Sequence, residues 1–149
     1  MPFDQDGLDL GFVLLNSYYE KLMKAVGHVP LSPSQCVLPN APCRHFVLGF
    51  PSQAQRSSVF NGKTLDRFDL SILEMFAAPP ESVNEKKFPR LAGKVFPEDI
   101  QLEGGQQLSR LQGMSGGPIV AFDSQSQAEV PKYWIVGVQN AWDESAGIA

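Results

Sequence analysis

Prolines and glycines punctuate this chain from end to end, and their spacing limits what it can become. Twelve prolines and thirteen glycines are spread along 149 residues rather than clustered. Proline removes a backbone donor and fixes φ, and glycine weakens helix interiors, so a long helical bundle is disfavoured and a loop-rich β protein is favoured. The length is enough for one domain with a real core. Charged residues are 19% of the chain and the net charge is −4, with no basic surplus, so nucleic acid is not an expected partner. No apolar run reaches the ~18 residues that cross a bilayer. The opening Met-Pro-Phe-Asp-Gln-Asp is acidic and lacks the charged and apolar regions of a signal peptide. A cytoplasmic location without a membrane partner is expected.

The most informative glycines lie in residues 112–122, Gln-Gly-Met-Ser-Gly-Gly-Pro-Ile-Val-Ala-Phe. Gly113, Gly116 and Gly117 surround one hydroxyl, Ser115, and Pro118 opens an apolar run that reads as a strand. Glycines let backbone N–H groups approach a point without Cβ interference, and a serine beside such groups suits a nucleophile with an oxyanion hole. A short Ser-Gly-Gly also serves as a plain reverse turn.

The longer string Gly-x-Ser-Gly-Gly-Pro resembles the nucleophile motif of chymotrypsin/trypsin-like serine peptidases, most closely the bacterial V8-like and HtrA-like branch. The resemblance implies an all-β fold, an antiparallel Greek-key β-barrel of the trypsin-like kind, here the second barrel; residue spacing adds one short helix near the N-terminus. The resemblance also implies acyl transfer by Ser115, with the N–H groups of Gly113 and Ser115 as the oxyanion hole. Two further strings are similar to the family's: Asp9-Leu10-Gly11-Phe12-Val13-Leu14 to its acidic strand, and Val47-Leu48-Gly49-Phe50-Pro51 to the Gly-Tyr-Pro turn of V8-like enzymes. Asp9 would then hold the imidazole's far N–H. Asp69-Leu70-Ser71-Ile72-Leu73 imitates the acidic string too, but it follows the Gly-Phe-Pro turn and leaves little room for strands before Ser115. Asp9 is preferred.

The chain divides accordingly. Residues 1–15 would be the remnant last strand of a first barrel carrying the acidic residue, with 8–15 as a buried strand. Residues 16–43 would be a helix over 16–26, capped by Asn16 or Ser17, and a proline-rich linker. Residues 44–149 would be the second barrel, with strands over 44–51, 68–76, 94–96, 117–122 and 133–139, and a loop over 77–89. The stripe Tyr18, Tyr19, Leu22, Met23 and Val26 reads as packing surface. The resemblance places Ser109 near the base of a specificity pocket and Gln139, Asn140, Ala141 and Trp142 along a cleft that pairs with an extended peptide. Trp142 reads equally as a partly exposed core aromatic. Nothing acidic lies over 108–112, so a preference for Lys or Arg is not indicated. Met114 stands where secreted members carry an Asp that pairs with a newly cut N-terminus, so that activation is not expected.

The base is missing. A serine hydroxyl needs a neighbouring imidazole to take its proton, and family order puts that histidine before Asp9. The only histidines are His28 and His45. Two explanations follow: the C-terminal portion of a peptidase whose first barrel lies outside the sequence, or a reduced barrel that binds peptides or proteins without cleaving them. Either a homodimer or a missing first barrel would cover the apolar edge over 10–15. No cofactor and no metal are expected: Cys36 and Cys43, with His45, make an incomplete ligand set. The two cysteines read as free thiols, with a local disulfide as the alternative.

Overall fold

The computed structural model describes residues 14–78, 91–102, 105–129, 131–140 and 147. Its centre is a five-stranded sheet built around β1 (Cys43–Gly49). On one side of β1 lies β4 (Ser71–Ala77), followed outward by the short β5 (Gly93–Lys94). On the other lie β6 (Pro118–Asp123) and β7 (Tyr133–Val138). Every neighbouring pair is antiparallel. The order β5-β4-β1-β6-β7 ends in two edges, so the described residues form an open sheet and not a closed barrel. The chain is mostly β with one short helix.

β4 and the end of β1 alternate buried with more exposed residues, while β6 buries three in a row. Val47 lies opposite Leu73 on one side and Ile119 on the other, and all three are buried on the same face. Loop residues, not a second sheet, cover that face: Leu108, Leu111 and Met114 are buried within the same cluster, together with Met75 and Val95. The segment leading to Ser115 is therefore part of the core.

The opposite face carries Phe46, flanked by Glu74 and Val120. Phe46 and Phe122 meet edge to face at 5.5 Å, and the Arg44 guanidinium lies 5.4 Å over the Phe46 ring. Arg44 also forms a bidentate pair with Glu74, 2.7 Å from Nε to Oε1. These hydrogen bonds hold the Glu74 carboxyl below its ordinary range, against the opposing push of burial and with the help of the guanidinium charge.

Between β1 and β4 the chain makes a separate antiparallel ribbon, β2 (Gln55–Phe60) and β3 (Lys63–Phe68). The reading of the sequence placed no strand over 52–67. The turn Asn61-Gly62 has φ 48° and 71°, the pair of left-handed residues that a two-residue hairpin needs. Arg56 and Arg67 face each other across the ribbon, and Asp69 reaches both, at 3.3 and 2.9 Å. Asp69, the rival acidic candidate, is thus occupied by two arginines. The expected single strand over 68–76 is broken at Asp69 and Leu70, because Phe68 ends β3 and Ser71 begins β4.

The helix α1 (Ser17–Ala25) starts where Asn16 predicts: its Oδ1 accepts the N–H groups of Tyr18 and Tyr19 at 3.1 and 3.2 Å. Its apolar stripe, expected to pack, buries no residue. Leu14 and Leu15 correct a second expectation, since both lie outside any strand and are exposed. The rest of that expected strand, Asp9 included, lies outside the described residues, as does 79–89 of the expected loop. Cys36 and Cys43 are free thiols. Burial, and then the nearby Asp123 charge, push the Cys43 thiol up. Among the described residues no helix is long and apolar enough to cross a membrane, and no three His, Cys, Asp or Glu side chains group as metal ligands.

Candidate functional site

The serine loop is built between two fixed pieces of backbone, the turn after β1 and the end of β7. After Gly49 the chain passes through buried Pro51 into a 3-10 turn, Ser52–Ala54. There the Ser52 N–H donates to the Gln112 carbonyl at 2.7 Å. Gly113 follows at φ 94°, and a Cβ on it would lie 2.6 Å from Ser52 Oγ and 2.9 Å from the Phe50 carbonyl oxygen. Only glycine fits both the left-handed backbone and the space.

Met114 turns inward. It is 1% exposed, its N–H donates to the Leu111 carbonyl at 3.0 Å, and its side chain packs where a Cβ on Gly49 would sit. A buried Met gives the loop an apolar anchor one residue before the serine. Ser115 turns outward and is exposed. Gly116 then takes φ 86° and donates its N–H to the Gln139 carbonyl at 2.8 Å. Gly117 donates to the Met114 carbonyl at 2.9 Å and accepts from the Gln139 N–H at 2.8 Å. Any Cβ on Gly117 would be driven into the Leu48 carbonyl oxygen. The N–H groups of Gly113 and Ser115 donate to no described acceptor. Ser115 is thus an exposed hydroxyl on a loop pinned from below by Met114 and from the sides by Ser52 and Gln139.

The other expected site residues fall into three groups. Gln139 adjoins the loop through its backbone, and the residue is buried at 4% exposure. Asn140, the next residue, is exposed. Ser109 is exposed too, and both its N–H and its hydroxyl donate to Gln53 Oε1, at 2.9 and 3.1 Å. Asp9, Ala141 and Trp142 lie outside the described residues. Ser52 and Gln53 were not found from the sequence. Their contacts span 54 to 60 positions, and the only local hint is that they follow the Gly-Phe-Pro turn directly.

Neither imidazole is hydrogen-bonded to Ser115. His45 lies on β1 opposite Met75 and Ala121, four residues from the Gly49 end where the serine loop packs. At the rise of an extended strand that is ~13 Å, well beyond hydrogen-bond reach. His28 is exposed just past α1, its N–H donating to the Met23 carbonyl at 3.0 Å.

No family model, curated protein or solved structure matches this chain. The functional reading therefore rests on its own residues.

Proposed function

We propose that the chain is the C-terminal portion of a trypsin/chymotrypsin-like serine peptidase domain, its sheet belonging to the Greek-key second barrel of that fold. Ser115 takes the nucleophile's place, the N–H groups of Gly113 and Ser115 take that of the oxyanion hole, and Asp9 that of the acidic partner. The observation that carries the reading is the loop itself: an exposed serine between two left-handed glycines, beside two N–H groups with no described acceptor. A plain reverse turn needs neither the buried Met114 anchor nor a glycine at 117 pressed against the Leu48 carbonyl. With no histidine before Asp9 in the sequence and His45 far along β1, the serine lacks its activator, and this chain alone has negligible peptidase activity.

A second reading, a non-catalytic peptide- or protein-binding module, is favoured by one feature. β7 is the last strand of the sheet among the described residues, and exposed Asn140 follows it, so an extended peptide can add as a further strand. The peptidase-type reading requires the serine loop to receive a carbonyl or carboxylate oxygen, whereas strand addition at β7 does not. Titration of the ¹⁵N-labelled chain with N-acetyl-trialanine, whose terminal carboxylate mimics a cleaved peptide, separates the two. The first reading predicts saturable shifts of the Gly113 and Ser115 amide signals. Shifts confined to β7 would favour the second, and shifts scattered over the surface would sink both.

A further inference from the structure

One side chain from outside the serine loop holds the segment that leads into it. Gln53 Nε2 donates to the Gln107 carbonyl at 3.0 Å, while Gln53 Oε1 accepts the Ser109 N–H at 2.9 Å and the Ser109 hydroxyl at 3.1 Å. In an extended chain the carbonyl of one residue and the N–H two residues on point the same way. Gln53 therefore grips 107 and 109 as a neighbouring strand would, and Leu108 between them is left facing the core, fully buried. The residue before it, Ser52, fixes Gln112 through its N–H. The turn Ser52–Ala54 thus holds the approach to Ser115 at both ends.

We propose that Gln53 is a positioning residue for the serine loop: its carboxamide sets where 107–112 lies and, through that, where the Gly113 and Ser115 N–H groups point. The consequence for ligand binding rests on the carbonyl-binding reading above; the consequence for loop geometry does not. The carboxamide offers a donor and an acceptor side by side in one plane, and neither is lost with pH. A Gln53→Glu carboxylate keeps the acceptor for Ser109 but turns a lone pair on the Gln107 carbonyl. Once protonated, the carboxyl donates again and restores the pattern.

The test compares full-length wild type, Gln53→Ala and Gln53→Glu by amide NMR, free and with N-acetyl-trialanine. In wild type the Ser109 amide is protected from exchange although the residue is exposed. In Gln53→Ala that protection is lost, the Gly113 and Ser115 signals move, and peptide affinity falls about fivefold, the effect of one net hydrogen bond of ~1 kcal/mol. Gln53→Glu matches Gln53→Ala at pH 7 and returns toward wild type as the pH falls through ~4.3, the ordinary glutamate pKa. Gln53→Ala shows no such return. A purely local role predicts changes confined to 107–109, and that result, or a Gln53→Glu variant indifferent to pH, overturns the proposal. If wild type does not bind the peptide, the carbonyl-binding reading falls, and the free-state shifts at Gly113 and Ser115 decide the role of Gln53 alone.

Discussion

At the scale of single residues, the serine loop depends on positions where a side chain is either forbidden or buried. Gly117→Ala forces a methyl into the Leu48 carbonyl, and neither β1 nor β6 can move aside without breaking their shared ladder. The expected cost is ~3 kcal/mol, at the upper end of overpacking penalties, read as a lowered urea midpoint. Met114→Ala removes a fully packed anchor and should cost ~2–4 kcal/mol in the same measurement. Glu74 gives a pH-dependent prediction. Its folded-state pKa is depressed, so the stability from its pair with Arg44 is present above the free carboxyl's ~4.3 and is lost as pH falls below it. Both partners are partly exposed, so the effect is small. Glu74→Gln should flatten the acid limb of the stability curve and weaken with added salt, and an unchanged acid limb would contradict this. At this scale the sequence was legible where a residue type has one physical use. The glycines around Ser115 announced a constrained loop, and Asn16 announced a helix start. Gln53 and Gln139 were not legible in their actual roles, because a glutamine's partners are decided by what the fold brings near it.

Strands were legible where they are apolar. The runs that became β1 and β4 alternate between core and surface, while those that became β6 and β7 are near-continuously apolar, β6 burying three residues in a row and β7 packing Val136 against the core. The β2–β3 ribbon buries nothing, and its serines and charged residues give no alternation to read. Its one signal is Asn61-Gly62. A two-stranded ribbon without a third layer is marginal in water. Its amides should exchange much faster than those of β1, and Gly62→Val, which strains the left-handed turn, should abolish ribbon protection while leaving the core's urea midpoint within ~0.5 kcal/mol. A parallel loss of core stability would show that the ribbon packs on the body. The helix was legible through its Asn16 cap and its periodicity, not through burial. Its apolar stripe was read as packing surface, yet it buries no residue in the structure described, and the Asn16 cap and the Glu20–Lys24 pair support its nine residues.

For the molecule as a whole, the serine loop and the core are one structure. Leu108, Leu111 and Met114 cover the inner face of the sheet, and the exposed Ser115 stands directly after them. The geometry of the loop is therefore as stable as the fold. The sequence could show the Gly-x-Ser-Gly-Gly-Pro string and two histidines but not their separation in space, because the register that sets His45 opposite Ala121, with the serine loop beyond the start of β6, exists only once β1 and β6 are paired. The proposed function is that of a peptidase-type serine loop without its base. Intact-mass measurement after incubation with a fluorophosphonate probe tests it most directly. The folded chain should gain no adduct. Stoichiometric labelling of Ser115, abolished by Ser115→Ala, would contradict it.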